Sequence, residues 1–220
     1  MARTNALLAA GIAGCMAVTA CTGPSRSPDP PPASSPGTSP SATPGPQPAQ
    51  TTPGAQGSPA GYRAYRTVCD WMWPGGGAAC TAEHRETVPP LARLTAVETA
   101  QHTGYNRMVF VFGQRLPSYD VRFVRALTSG GTGEVIPLDG GGGVLQVRFD
   151  GAEAHALSAR PQSAALSRLR SYAKGEDFEG VVRYGLGLAG PAGADEQVQV
   201  RVAEGQRADG SFTVVVDVAG

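Results

Sequence analysis

The stretch His102-Thr-Gly-Tyr-Asn-Arg-Met-Val-Phe-Val-Phe112 joins a polar turn to five consecutive apolar residues, 108–112. No charged residue, Gly or Pro interrupts this apolar run. A short run of β-branched and aromatic residues bounded by turn residues is typical of a strand that is buried on both faces. We therefore expect this stretch to form the central strand of a β-sandwich or barrel.

The residues around this stretch alternate between apolar and polar side chains with a period of two. Leu145, Val147 and Phe149 alternate with Gln146 and Arg148, and residues 119–127, 197–202 and 212–218 show similar alternation. Such segments, separated by Gly-rich turns, predict antiparallel strands. The sequence thus predicts one β domain over residues 91–218, an all-β antiparallel two-sheet sandwich of seven to eight strands.

Some connections in this domain are less regular. Residues 152–157 and 162–168 predict either two short helices or a loop. Residues 174–177, Lys-Gly-Glu-Asp, predict the turn of a hairpin between strands at 169–173 and 178–188. A second hairpin is expected across residues 203–211.

The N-terminus has the pattern of an export signal. Arg3 precedes an apolar segment, residues 6–20, which is too short to span a bilayer and predicts a signal peptide over residues 1–20. Val18-Thr19-Ala20-Cys21 resembles the lipobox of bacterial lipoproteins, which implies lipidation of Cys21 and anchoring at the outer face of the cell membrane. Ile12-Ala13-Gly14-Cys15 fits the same pattern, and an ordinary secretory signal is a further alternative.

Residues 21–61 have the composition of a linker. Residues 22–61 contain twelve prolines, many small polar residues and almost no large apolar side chains. Such a segment cannot bury enough apolar surface to offset the entropy lost on ordering. We expect a disordered, lipid-anchored stalk rich in Pro, Ser, Thr and Gly.

Residues 62–90 form an extension that contains the other two cysteines. In an exported protein, Cys69 and Cys80 are expected to form a disulfide that closes a small loop. Trp71 and Trp73 lie within that loop and share one face if the segment is extended. They either pack the extension onto the sandwich or contact a ligand such as a sugar ring.

Charge and motifs exclude several functional classes. With 18 basic and 18 acidic residues, the chain has no basic excess for binding nucleic acid. It has no nucleophile elbow, no phosphate-binding loop and no metal-ligand spacing, so we expect no catalytic residue, metal or cofactor. An acid/base pair of His102 and Asp177 would require the fold to bring them together. His102, Tyr105 and Arg107 remain as candidate polar ligand contacts.

Four strings carry a resemblance to a known family. They are His102-x-x-Tyr105-x-Arg107-x-Val109-Phe110, Pro117-x-Tyr119-x-Val121-Arg122-Phe123-Val124, Asp177-Phe178-Glu179-Gly180-Val181-Val182 through Gly185-Leu186-Gly187-Leu188, and Val214-Val215-Val216-Asp217-Val218. Together they resemble the AMIN-like domain of secreted and lipid-anchored actinobacterial proteins. The resemblance implies a two-sheet β module similar in shape to the AMIN domain, which binds peptidoglycan or localises its host protein. Asn106 and Val111 stand where that family more often has Asp and Glu.

The sequence therefore predicts a non-catalytic, exported cell-envelope lipoprotein. The expected partner is a cell-wall glycan or peptide, bound through Trp71, Trp73, His102, Tyr105 and Arg107. A protein-binding envelope assembly factor is the main alternative, and a wall-active hydrolase is a distant one.

Overall fold

The computed structural model describes residues 59–85, 89–190 and 198–220. In these ranges every regular element is a β-strand, and no helix is long and apolar enough to cross a membrane. The predicted signal peptide, the candidate lipidation sites Cys15 and Cys21, and the predicted linker up to residue 58 lie outside the described residues.

The strands range from two to eleven residues in length. They are β1 (Tyr62–Met72), β2 (Cys80–Ala82), β3 (Ala92–His102), β4 (Tyr105–Phe112), β5 (Ser118–Val124), β6 (Leu127–Thr128), β7 (Val135–Ile136), β8 (Gly141–Asp150), β9 (Ala152–Glu153), β10 (Gln162–Ser163), β11 (Leu169–Phe178), β12 (Val181–Ala189), β13 (Val200–Arg207) and β14 (Phe212–Ala219).

Two six-stranded sheets form the sandwich. Sheet 1 has the order β1-β13-β14-β4-β3-β9, and sheet 2 has the order β10-β11-β12-β8-β5-β2. Neighbouring strands are antiparallel except for the two-residue parallel pairing of β3 with β9. The predicted all-β two-sheet sandwich is confirmed, and eight strands of seven or more residues lie between Ala92 and Ala219.

Strand β4 supplies the centre of the core, as the sequence predicts. Residues 108–112 are at most 6% exposed, so both faces of the strand are covered. Phe110 and Phe112 each contact the Phe149 ring edge to face, with ring centroids 5.0 and 5.1 Å apart. Leu145 and Val147 point inward with Phe149 and are fully buried. These contacts join sheet 1 to sheet 2 across the core.

The Gly-Leu-Gly-Leu string of β12 separates the two faces of sheet 2. Leu186 and Leu188 are fully buried in the core. On the opposite face the chain around β6 and β7 lies against the glycines: a Cβ on Gly185 would lie 2.9 Å from the Leu127 side chain. A Cβ on Gly187 would lie 2.2 Å from the Asp139 carbonyl oxygen. Glycine is required at both positions because the Leu127 side chain and the Asp139 carbonyl group occupy the space that a side chain would need.

One detail of the prediction is wrong. The turn at residues 174–177 does not exist, because β11 continues through these residues with a register shift between Lys174 and Glu176. The chain reverses instead at Glu179 and Gly180, which both have positive φ, 49° and 79°. Of the two alternatives for residues 152–157 and 162–168, short helices or a loop, the structure shows the loop, since residues 152–168 contain β9, β10 and turns but no helix. Lys174 and Asp177 are polar, yet both fit inside β11 because Lys174 donates a hydrogen bond to the Asp177 carboxylate.

The two cysteines join the sheets at one edge of the sandwich. Cys69 lies in β1, the edge strand of sheet 1, and Cys80 lies in β2, the edge strand of sheet 2. Their Cα atoms are 6.1 Å apart and their sulfurs are bonded, which confirms the predicted disulfide. The extension of residues 62–90 therefore contributes one edge strand to each sheet.

Candidate functional site

A row of charged residues crosses the outer face of sheet 1. Arg201 on β13 pairs in register with Asp217 on β14, and Asp217 pairs with Arg107 on β4. Because successive side chains of a strand point to opposite faces, the neighbouring valines of β13 and β14 point into the core while these three residues point outward. Antiparallel register alone thus places a carboxylate between two guanidinium groups.

Asp217 is bonded to both arginines. Arg107 donates from Nε to Oδ1 at 2.7 Å and from Nη2 to Oδ2 at 2.9 Å. Arg201 donates from Nε and Nη2 to Oδ2 at 3.1 and 2.6 Å. The Asp217 side chain is 1% exposed, against 15% for Arg107 and 25% for Arg201. The hydrogen bond to Asp217 also raises the pKa of Arg107 above its ordinary value, so its charge is fixed.

Aromatic rings surround these guanidinium groups. The Arg201 guanidinium carbon lies 4.8 Å from the Trp71 ring centroid and 5.4 Å from that of Tyr105. Arg107 lies 5.4 Å from the Tyr105 centroid. His102 stacks on Tyr105 with centroids 4.6 Å apart and planes 10° apart, while Trp71 meets Tyr105 edge to face. Cations over ring faces at these distances are attracted by the ring quadrupole.

These side chains form one partly exposed surface, which we call the aromatic–arginine cluster. Its members are Trp71, His102, Tyr105, Arg107, Arg201 and Asp217. Trp71 and the group His102, Tyr105 and Arg107, which the sequence places about 30 residues apart, are therefore brought together on one face, whereas Trp73 is not part of the cluster. Strand β1 ends at Met72, and the Trp73 side chain beyond it is 53% exposed.

Arg201 and Asp217 are not among the candidate site residues that the sequence predicts. Each lies 90 or more residues from the His102–Arg107 group, so only the strand order brings them to it. A signal was nevertheless present, because each is a charged residue between two valines. A charged residue at such a position faces outward and needs a partner on the neighbouring strand.

Beside the cluster, the outer face of sheet 1 carries a small second core. Val109, Val111, Ala203 and Val215 are buried there, and Tyr65 of β1 packs against them. Burial raises the pKa of Tyr65, which keeps its hydroxyl neutral. Strand β1 therefore contacts the outer face of sheet 1 in two ways: Tyr65 packs on apolar side chains, and the Trp71 ring lies against the Arg201 guanidinium.

A second polar network joins β1 and β13 of sheet 1 to β5 of sheet 2. The Glu204 side chain, 3% exposed, accepts hydrogen bonds from the Tyr119 hydroxyl at 2.9 Å and from Arg66 Nε at 2.9 Å. His84 Nε2 lies 2.9 Å from Glu204 Oε1. Burial, together with the Glu204 carboxylate, raises the pKa of Tyr119. These contacts tie β1, β13 and β5 together, next to an open groove of about 430 Å³.

His102 and Asp177 do not form an acid/base pair. Asp177 lies 2.8 Å from Lys174 Nζ and 3.0 Å from His155 Nδ1, and it accepts the Ala154 N–H at 3.0 Å. Burial alone would raise the pKa of Asp177, but the hydrogen bonds from Lys174 and Ala154 outweigh it and hold that pKa below its ordinary value. This carboxylate fixes the turn after β9, and His102 stacks on Tyr105 instead.

Asn106 has a structural role beside the cluster. It is fully buried, and its Oδ1 accepts the N–H groups of Arg168 and Leu169 at 2.7 and 2.8 Å. Its Nδ2 donates to Ser167 Oγ at 3.1 Å. The amide therefore anchors the start of β11 to β4, and this position does not present a charge to solvent.

The described residues contain no group of three or more His, Cys, Asp or Glu side chains that could hold a metal ion.

The family model of the AMIN-like domain matches residues 92–220. Searches of curated proteins and of solved structures found no match. The matched segment is more than half of the 220-residue chain and contains every strand from β3 onward. AMIN-like domains are associated with proteins of the cell wall and peptidoglycan. The chain therefore belongs to the AMIN-like domain family.

Proposed function

We propose that this protein is a non-catalytic cell-envelope lipoprotein whose sandwich binds a cell-wall glycan or peptide at the aromatic–arginine cluster. The observation that carries the proposal is the meeting of three partly exposed rings, Trp71, His102 and Tyr105, with two guanidinium groups on one sheet face. Aromatic and arginine side chains dominate the binding energy of many interfaces. Membership of a family associated with the cell wall supports the choice of ligand.

The chemistry of the cluster supports binding rather than turnover. Its single carboxylate, Asp217, is bonded to both arginines and is almost fully buried, so it is not placed to accept a proton from a substrate. His102 is stacked on Tyr105, and no described carboxylate or hydroxyl bonds to its ring. The cluster thus offers flat surfaces and positive charge without a nucleophile and base in contact.

Attachment to the membrane forms the second part of the proposal. The lipobox-like sequence ending at Cys21 and the Pro-rich residues after it would tether the sandwich to the outer face of the membrane, within reach of the wall. A Cys21→Ser variant is expected to leave the membrane fraction and to lose the mass of the acyl chains. Membrane retention of that variant with an unchanged mass would refute lipidation at Cys21, and Cys15→Ser then tests the other site.

Sedimentation of the full chain with purified peptidoglycan tests wall binding. Trp71→Ala is expected to weaken retention at least about tenfold, since an aromatic anchor in an interface contributes on the order of 2 kcal/mol. Trp73→Ala is the matched control, because Trp73 lies outside the cluster contacts, and it should bind within about twofold of wild type. Thermal unfolding of both variants separates lost packing from lost binding.

Two results would contradict the proposal. If Trp73→Ala loses binding while Trp71→Ala keeps it, the wall contact lies at the exposed loop and not at the cluster. If the wild-type chain is not retained by the wall but retains one specific envelope protein, the assembly-factor alternative replaces wall binding. Turnover of a wall fragment that is abolished by His102→Ala would instead establish a hydrolase.

A further inference from the structure

The aromatic–arginine cluster carries an excess of positive charge. Two arginines share the one carboxylate of Asp217, which leaves a net charge of one positive unit. The nearby Glu98 does not neutralise it, because Glu98 is paired with Arg207 at 2.5 Å. In the ion pairs of Arg66, Arg93, Arg122, Arg148, Arg183 and Arg207, by contrast, each acid is paired with one arginine. The charge is local, because the chain as a whole has a formal charge of zero.

Each guanidinium also keeps hydrogen-bond donors that Asp217 does not use. Arg107 and Arg201 both donate to Asp217 from Nε and Nη2. A guanidinium has five N–H donors, so the two on each Nη1 are not engaged with this carboxylate. Arg201 is the more exposed of the two arginines, at 25%. The bonds to Asp217 hold both groups in place before any ligand arrives, which lowers the entropy lost on binding.

The rings explain how this excess charge is tolerated without a second acid. Arg201 lies over Trp71 and near Tyr105, and Arg107 lies near Tyr105, so both cations are partly stabilised by ring faces. A ligand with an apolar face and a negatively charged group can stack on the rings and bond to the free N–H donors at once. A sugar ring that carries a carboxylate or a phosphate has this combination.

We propose that the cluster recognises an oxyanion of the wall polymer, a carboxylate or a phosphate, with Arg201 as its main charge partner. The inference rests on the proposed wall-binding function and names the chemical group that is bound. Arginine recognises both oxyanions through the same paired N–H donors, so the two share one chemistry. They differ in their source, since carboxylates belong to peptidoglycan itself and phosphodiesters to polymers attached to it.

Chemically treated walls distinguish these sources. Purified wall is divided into three samples: untreated, stripped of phosphodiester-linked polymers with hydrofluoric acid, and amidated at its carboxylates with a carbodiimide and an amine. Retention of the full wild-type chain is measured on each. We expect one of the two treatments to weaken binding at least about tenfold, and binding to untreated wall to weaken as salt rises from about 50 to about 200 mM. The treatment that weakens binding identifies the oxyanion.

Variants assign the effect to the cluster. Arg201→Gln is expected to bind untreated wall at least about tenfold more weakly. Arg148→Gln is the matched control, because it removes the same charge from an exposed ion pair with Asp150 on sheet 2, and it should bind like wild type. Arg201→Lys keeps the charge but lacks the paired N–H donors, so it should recover only part of the binding. Urea unfolding of each variant establishes that it is folded.

The outcomes separate this inference from the function on which it rests. If wild type binds all three walls equally and Arg201→Gln matches Arg148→Gln, the protein is a wall-binding module but the oxyanion inference is wrong. If wild type binds none of the walls, the proposed function itself is wrong. Because the wall treatments use the unmodified protein, an unfolded variant would not prevent the decision.

Discussion

Replacement of Asp217 by Asn tests whether the carboxylate holds the aromatic–arginine cluster together. Asn has nearly the same shape, so the change removes a negative charge and little volume. Two guanidinium groups, only 15% and 25% exposed, would then share no counter-ion. Removing one partner of a buried ion pair costs about 3–5 kcal/mol because an uncompensated charge remains. Partial access of water to both arginines reduces that cost, and we expect a loss of about 3 kcal/mol.

The expected loss is readily measured by urea unfolding. With a slope of about 2 kcal/mol per molar, a loss of about 3 kcal/mol lowers the unfolding midpoint by about 1.5 M urea. Glu98→Gln is the matched control, since it removes an acid from the same sheet face but from a 47% exposed side chain. An exposed ion pair contributes about 0–1 kcal/mol, so this variant should shift the midpoint by less than about 0.5 M.

The comparison of these two variants decides whether the Asp217 carboxylate stabilises the cluster. If Asp217→Asn shifts the midpoint no more than Glu98→Gln does, the two arginines do not depend on the carboxylate, and the cluster is not organised around it. A change in the slope of unfolding free energy against urea concentration would mean that the compactness of the native or unfolded state has changed. The two variants would then be compared by their unfolding free energies in water and not by their midpoints. Addition of salt should lessen the effect of Asp217→Asn by screening the two arginines.

Two further predictions concern the sandwich itself. Gly187→Ala should destabilise the fold by about 3 kcal/mol or more, because its Cβ would lie 2.2 Å from a backbone carbonyl oxygen. Gly131→Ala is the control: this position has open space around it, so the unfolding free energy should change by less than about 0.5 kcal/mol. Equal unfolding midpoints for the two variants would refute the close packing at Gly187. Asp177 has a lowered pKa in the folded state, so its stabilising effect is complete above the ordinary pKa of 3.8 and is lost as the pH falls through the lowered value. Asp177→Asn should therefore be less stable than wild type at about pH 7, with the difference in unfolding free energy shrinking below about pH 4, and a difference that does not depend on pH would contradict this assignment.

The sequence predicts which residues form the core, but it does not predict which polar side chains bond to each other. Residues 108–112 and Leu145, Val147 and Phe149 are buried as expected, because apolar runs and period-two alternation report directly on burial. The hairpin turn was misplaced because Lys174 and Asp177 look like turn residues when read alone. In the structure they bond to each other at 2.8 Å and remain inside β11.

The candidate site was half predictable for a related reason. Trp71, Tyr105 and their neighbours stand out by residue type, and the disulfide followed from the cysteine count. Arg201 and Asp217 become members of the site only through the strand order β1-β13-β14-β4, which joins residues more than 100 positions apart. Pairing of distant strands is a property of the whole topology, and local sequence patterns do not encode it.

The disulfide between the two edge strands determines how the domain responds to a mechanical pull. A force applied through the chain before Tyr62 acts on the first residue of β1 and would peel this antiparallel edge strand from β13 one hydrogen-bonded pair at a time. Peeling can proceed only as far as Cys69, where the covalent bond passes the force to Cys80 and into sheet 2. Trp71 lies beyond that point in β1. The contact of Trp71 with Arg201 is therefore protected from a force that acts on the chain before Tyr62, because Trp71 lies inside the loop that the disulfide closes.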